Sequence, residues 1–79
     1  MPPELLREVR EWRRKAAIDL GAAHALLCGE RTFPSVAVFL CQQAAEKMLK
    51  AYLTWRATSF GPVHDLRRLR ELCAAHDSA

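Results

Sequence analysis

Apolar side chains recur at steps of three and four residues through most of this chain, and no segment alternates with the period of a strand. Pro3 suits a first helical turn and Gly29 a C-terminal stop, so a first helix is predicted over about Pro3 to Cys28. Gly21 inside it is expected where a neighbouring helix passes close. The pattern predicts an all-α fold. Its first apolar stripe comprises Leu5, Val9, Trp12, Ala16, Leu20, Ala23 and Leu27.

A second helix is predicted from Pro34 or Ser35 to about Arg56. Its apolar arc is wide, so it is expected to pack against more than one helix. Ala57 to Val63 has the composition of a loop, and Asp65 is suited to cap a third helix that begins there. Because the first connection is short, the helices are expected to form an antiparallel up-down bundle of three. The arc comprises Val36, Leu40, Ala44, Met48 and Tyr52, with Ala37, Cys41, Ala45, Leu49 and Leu53 beside them.

The chain has 79 residues, which predicts one domain over 1–79. A helical chain this short buries a modest share of its surface, so self-association is expected. The formal net charge is +3, from 12 Lys and Arg against 9 Asp and Glu, which permits contact with phosphates without requiring it. The early cations, Arg7, Arg10, Arg13, Arg14 and Lys15, are interpreted as a solvated helix face or, alternatively, a nucleic-acid contact.

Cys28, Cys41 and Cys73 form no C-x-x-C pair, and each is expected to be a small buried hydrophobe in a reducing compartment. The three histidines do not supply the spacing of a zinc site, so no metal and no cofactor are predicted. The start lacks the features of a signal peptide, and the longest apolar run, Val36 to Cys41, is far short of a membrane span. A cytoplasmic protein without membrane contact is expected.

Four polar residues of the second helix, Gln43, Glu46, Lys47 and Lys50, fall on one face between the apolar lines. Two interpretations stay open. They satisfy the hydrogen-bonding needs of the bundle, or they contact a nucleotide or a partner protein, with Lys for phosphate and Gln for an amide or a base edge. Trp12 and Trp55 are expected to meet in one core layer, with base stacking as the alternative.

These residues belong to a longer pattern. Trp12-x-x-x-Ala16-x-x-Asp19-Leu20 is followed by Phe33, then by Phe39-x-x-Gln42-Gln43-Ala44-Ala45-Glu46-Lys47-x-x-Lys50-Ala51, and finally by His64-Asp65-Leu66-x-x-Leu69. The sequence resembles the HEPN domain family in this pattern, from about Trp12 to Leu72.

The resemblance implies an up-down bundle of four or five helices that is usually dimeric. Many members are encoded beside a minimal nucleotidyltransferase and act with it as a toxin–antitoxin or a substrate-binding pair. Some members are metal-independent ribonucleases, and others bind nucleotides or act as helical adaptors. For this chain we expect a homodimer and a non-catalytic module that binds a nucleotide, RNA or a nucleotidyltransferase partner. Its binding residues would be Gln43, Glu46, Lys47, Lys50, His64 and Asp65.

Two departures from the family pattern bear on this expectation. The chain ends just after the third helix, so it is a shortened domain or a piece of a longer one, and dimerisation through the first two helices would compensate. The ribonuclease members carry Arg, four to six residues, then His. Arg56 and His64 are separated by seven residues, whereas Arg70 and His76 are separated by five, with Glu71 directly after the Arg. Arg70 and His76 are therefore weak catalytic candidates, and enzymatic activity stays open.

Overall fold

The computed structural model describes residues 1–62 and 65–77, with the side chain of Asp77 left out. Three helices follow one another: α1 over Pro3–Cys28, α2 over Pro34–Trp55 and α3 over Leu66–Asp77. No strand occurs in the described residues. The prediction of an all-α fold of three helices is confirmed, and the predicted bounds of α1 and α2 agree to within one residue.

Small side chains form the contact between α1 and α2. The five alanines Ala16, Ala23, Ala37, Ala44 and Ala51 are buried there. Alanine lets two helix backbones approach closely, so this interface is narrow and uses little side-chain volume. Leu20 and Leu27, which the sequence pattern placed in the buried stripe, are about half exposed, and Asp19 is more buried than either. That part of the predicted stripe is wrong. The buried contact of the five alanines, which we call the alanine seam, is narrow, so the larger side chains of Leu20 and Leu27 lie at its margin.

The order of contacts along α1 and α2 is reversed, as expected for two helices that run in opposite directions. Trp12 near the start of α1 reaches Lys50 near the end of α2, and Asp19 further along α1 reaches the earlier Lys47. The Phe33 backbone N–H donates to the carbonyl of Leu26 at 3.2 Å and closes the connection between the helices. The up-down arrangement of all three helices stays a prediction.

The central helix is α2, which packs against α1 on one side and α3 on the other, as its wide apolar arc predicted. The contact with α3 contains the core of Leu53, Leu69 and Cys73, with Leu49, Tyr52, Phe60 and Leu72 packed around it. These residues of α2 all lie in its C-terminal half. The shorter α3 therefore covers that half of α2 and leaves the N-terminal half open.

The C-terminus of α2 ends in a Schellman turn, which sets the path of the following loop. The Thr58 N–H donates to the Leu53 carbonyl at 2.8 Å, and the Ala57 N–H donates to the Thr54 carbonyl at 2.9 Å. Such a turn requires a left-handed residue, and Ala57 fills that position with φ of 53°. Alanine is strained there where glycine would not be.

Three further expectations are wrong. Cys28 and Cys41 are exposed, and Cys73 alone of the three cysteines is buried. A Cβ atom at Gly21 would meet nothing within 4 Å, so neither of the other two described helices passes close there. The two tryptophans do not share a core layer: Trp12 packs against Phe60, whereas Trp55 is half exposed beside Tyr52.

The strain at Ala57 leads to a prediction about stability. Ala57→Gly should raise the free energy of unfolding by about 1 kcal/mol, because glycine adopts the left-handed conformation without a Cβ clash. Ala45→Gly, at an exposed position inside α2, is the matched control and should lower it by about 1 kcal/mol. Urea denaturation followed by circular dichroism measures both. Two shifts of the same sign would contradict the turn geometry.

Candidate functional site

Two charged residues of α2 form a buried ion pair. The Lys50 ammonium lies 3.2 Å from Glu46 Oε1, one helical turn away, and the side chains are only 6% and 9% exposed. A buried charge is costly unless it is paired and hydrogen-bonded, so each of these groups depends on the other. The polar face predicted from the sequence thus continues into the interior of the domain.

Two aromatic rings also lie near the Lys50 ammonium. Its Nζ lies 5.1 Å from the centroid of the Trp12 ring and 5.9 Å from that of Phe60. The two rings pack edge to face, with centroids 6.3 Å apart. A cation over an aromatic face is attracted by the negative π surface, more strongly where water is excluded. One lysine of α2 therefore joins α1, through Trp12, to the loop that follows α2.

A second ion pair joins the helices at Lys47, whose ammonium contacts the Asp19 carboxylate while both side chains are largely buried. Gln43, one turn earlier, is half-buried, and its side chain makes no hydrogen bond within the described part of the chain. Three of the four polar residues thus have intramolecular partners, which favours the first of the two interpretations given above. Their contact with a nucleotide or a partner stays a prediction.

An open groove of about 580 Å³ runs beside Trp12 and Phe60. Its lining contains the hydroxyl groups of Thr54, Thr58 and Ser59 together with apolar side chains. Glu8 is the charged residue of the lining, and the nearby Lys50 is buried in its pair with Glu46. The lining therefore presents a carboxylate and no cation to a phosphate, although the exposed Lys15 lies 5.2 Å from the centroid of the Trp12 ring. The lining comprises Leu5, Glu8, Trp12, Thr54, Ala57, Thr58, Ser59, Phe60 and Gly61.

A hydrogen-bonded cluster surrounds His76 near the end of α3. Arg56 Nε donates to His76 Nδ1 at 3.4 Å, which assigns the ring proton to Nε2, 2.6 Å from Thr58 Oγ1. The Thr58 hydroxyl in turn lies 3.4 Å from the Arg56 carbonyl, and the Tyr52 ring packs edge-on to the imidazole at 6.0 Å. Both imidazole nitrogens thus face partners within the chain.

The weak catalytic pair of the sequence analysis is not brought together. Arg70 is exposed and lies on a shallow groove with Arg67 and Glu71, whereas His76 faces Arg56 and Thr58. Six residues along a helix turn a side chain through about 600°, so the two point to different flanks of α3. Local spacing could not reveal Arg56 as the neighbour of His76, because 20 residues separate them and the Schellman turn brings them together.

The other predicted binding residues lie at the start of α3. The Asp65 carboxylate accepts a hydrogen bond from the Arg67 N–H at 2.9 Å, so the predicted cap is confirmed. His64 lies outside the described residues. A binding role for either residue stays a prediction.

The early cations are on the solvent side of α1. All five, from Arg7 to Lys15, are exposed. Arg14 hydrogen-bonds Glu11 and lowers the pKa of that carboxyl. Exposed pairs of this kind contribute little to stability. The charge on this face is therefore available to solvent.

The chemistry of the described residues also bears on metals and membranes. They contain no group of three or more His, Cys, Asp or Glu side chains able to hold a metal ion. None of their helices has the length and hydropathy to span a membrane.

The family match covers nearly all of this structure. The sequence matches the HEPN domain over residues 9–79, a range that includes the Lys50 site, the His76 cluster and all of the groove lining except Leu5 and Glu8. The chain belongs to the HEPN domain family. No curated protein and no solved structure matches it.

Within this HEPN domain, the Q-Q-A-x-E-K-x-x-K-A string has a structural meaning. Its Ala44 and Ala51 lie in the seam with α1, and its Glu46 and Lys50 form the buried pair. The residues on which the resemblance rests are thus residues that hold α1, α2 and the following loop together.

Lys50 and Lys15 both lie over the Trp12 ring, but only Lys50 belongs to the buried ion pair, so the two lysines should contribute differently to stability. Lys50→Met should lower the free energy of unfolding by about 3 kcal/mol, because the buried Glu46 carboxylate loses its ion pair with Lys50. Lys15 also lies over the Trp12 ring, at 5.2 Å, but is exposed, so Lys15→Met should cost less than about 1 kcal/mol. In the double variant Glu46→Gln/Lys50→Met, part of the loss should be recovered. Equal losses for the two lysines in urea denaturation would contradict this account.

Proposed function

We propose that this HEPN protein is a non-catalytic helical module that binds a protein partner, self-associates as a homodimer, and acts in a nucleotidyltransferase–HEPN system. Family membership supports a binding or ribonuclease-like module in general terms. The finer proposal rests on a half-covered surface of α2.

That surface is the continuation of the buried polar face. Val36, Phe39, Gln43, Glu46 and Lys50 follow one another at steps of three and four, so they share one face of α2. The C-terminal part is buried, with Glu46 and Lys50 at 7% and 5% exposure. The N-terminal part is open, with Val36 and Phe39 at 48% and 55%. We call Val36, Phe39 and Gln43 the open stripe.

The composition of the open stripe suits a protein surface. A phenylalanine and a valine on one face supply apolar area, and the adjacent amide of Gln43 supplies a donor and an acceptor. Apolar surface that continues an interior face is typical of interaction sites, and aromatic residues contribute strongly to binding energy there. A second copy of the chain, or a nucleotidyltransferase, is the partner class that this chemistry and the family favour.

The charges around the stripe argue for protein over nucleotide. Lys50 is paired with Glu46 and Lys47 with Asp19, so a phosphate would have to displace a carboxylate to reach either ammonium. Nucleotide contact through Gln43, Glu46, Lys47, Lys50, His64 and Asp65 therefore takes second place in this proposal.

Phe39→Ser tests the open stripe. It should raise the dimer dissociation constant about tenfold or more, because an interface aromatic is lost, and it should leave stability nearly unchanged. Ile18→Ser, on α1, is matched in exposure at 56% against 55% and should leave association unchanged. The dimer dissociation constant of each variant is measured by sedimentation velocity across a concentration series, in the presence of a chelator that removes metal ions.

A wild-type chain that stays monomeric at every concentration would contradict the homodimer. The proposed contact with a nucleotidyltransferase is tested by measuring binding to a minimal nucleotidyltransferase encoded beside the gene, where one exists. Phe39→Ser should weaken that complex and Ile18→Ser should not. Equal binding by both variants would remove the open stripe from the proposal.

A metal-independent ribonuclease is the second candidate, favoured by the contact between Arg56 and His76. These residue types catalyse RNA cleavage in other family members. Here, however, both imidazole nitrogens face Arg56 and Thr58, so a lone pair becomes available for proton abstraction only if the cluster opens. The intact cluster supports the non-catalytic assignment.

An RNA-cleavage assay in EDTA separates the two candidates. The wild-type chain should leave a mixed RNA substrate intact, because its imidazole is engaged. Cleavage that is lost in both His76→Ala and Arg56→Ala, yet kept in Arg70→Ala, would overturn the non-catalytic proposal and assign the activity to this cluster.

A further inference from the structure

The C-terminal turn of α1 presents a histidine and a cysteine side by side. His24 and Cys28 are one helical turn apart, and the Cys28 sulfur lies 3.6 Å from Nε2 and 3.8 Å from Nδ1 of His24. Both side chains are exposed, and the thiol is free. This cluster lies at the opposite end of α1 from the groove at Trp12 and has no part in the proposed partner surface.

The separation of these atoms matches the spacing of two ligands on one metal ion. Zinc binds sulfur at about 2.3 Å and imidazole nitrogen at about 2.0–2.1 Å in a tetrahedron, which places the two ligand atoms about 3.5–3.6 Å apart. Thiolate with imidazole is also the donor set that selects zinc over magnesium or calcium. A modest rotation of the exposed imidazole directs one nitrogen at the shared ion.

The position on the helix favours a cation. Cys28 is the last residue of α1, where unpaired carbonyl groups give the negative end of the helix dipole, and the last turn holds no basic residue. The chain supplies two ligands here, and no third ligand lies within reach among the described residues. A tetrahedral site therefore needs two ligands from outside the chain.

A second copy of this chain can supply them. Ala17 and Gly21 precede His24 and Cys28 on the same flank of α1, and among residues 1–62 and 65–77 no neighbouring helix or side chain lies within 4 Å of where a Cβ at Gly21 would be. A glycine in a helix interior costs about 1 kcal/mol, and its use here is explained where another helix backbone crosses closely. If α1 of two copies crosses at Gly21 about a two-fold axis, His24 and Cys28 of one copy lie opposite His24 and Cys28 of the other.

We propose that His24 and Cys28 form half of a tetrahedral zinc site, which the same two residues of a second copy complete. The ion then has two thiolate and two imidazole ligands. Binding releases the thiol protons to solvent, so it weakens as the pH falls. Its ligands are not residues of the open stripe.

The test uses the full chain under a reducing agent, so that no disulfide links the copies. Zinc should bind at one ion for two chains. In the Phe39→Ser variant, which lacks association through the open stripe, it should lower the dimer dissociation constant at least about tenfold, measured by sedimentation velocity with zinc against chelator. Cobalt in place of zinc should give the intense visible absorption of a tetrahedral site and a thiolate charge-transfer band.

Matched variants separate this site from adventitious binding. Cys28→Ser and His24→Ala should each lose the cobalt spectrum and the effect of zinc on association. Cys41→Ser removes an exposed thiol elsewhere, on α2, and should keep both. Absence of the cobalt bands, a zinc effect that survives Cys28→Ser, or binding of one ion per chain without a change in mass would each overturn the proposal.

The two proposals fail separately. Association through the open stripe is measured in chelator and is lost in Phe39→Ser. Zinc-dependent association is lost in Cys28→Ser and should persist in Phe39→Ser.

Discussion

The ion pair of Glu46 and Lys50 is the interaction on which the rest of this domain depends. Only Leu53 and Leu69 are large side chains with essentially no exposure, so the hydrophobic core is small. Two buried charges in such a domain are tolerated because they neutralise each other, and because the lysine also lies against Trp12 and Phe60. Those rings come from α1 and from the loop after α2. The pair therefore sets where both elements lie relative to the central helix.

The face of α2 that carries this ion pair is buried along only part of its length. The polar and aromatic residues that are buried near the end of α2 have counterparts near its start that nothing in the chain covers. Phe39 is half exposed, two and three turns before Glu46 and Lys50, which are nearly inaccessible. Since α3 packs only against the C-terminal half of α2, the HEPN domain exposes to solvent the N-terminal part of a face that is buried further along the helix.

The two histidines of the described residues differ in their surroundings, and this difference separates their roles. His76 is held by Arg56 and Thr58 at the Schellman turn, where both of its nitrogens have partners within the chain. His24 lies exposed beside the Cys28 thiol at the other end of α1. An engaged imidazole stabilises the fold, whereas an exposed one next to a thiol is available to a ligand. The type of residue alone does not distinguish these two cases.

Local patterns in the sequence determined the helices, because a period of 3.6 residues and the Pro and Gly residues at the ends act within one segment. They also identified the family and the cap at Asp65. They did not determine which side of each helix is buried. Leu20 and Leu27 lie outside while Glu46 and Lys50 lie inside, since burial depends on how closely the alanine seam brings the helices together. The contacts of His76 with Arg56 and of Lys50 with Trp12 likewise join residues far apart in the chain. Only the tertiary structure decided them, because the energy of a buried charge or an imidazole is set by its neighbours in space.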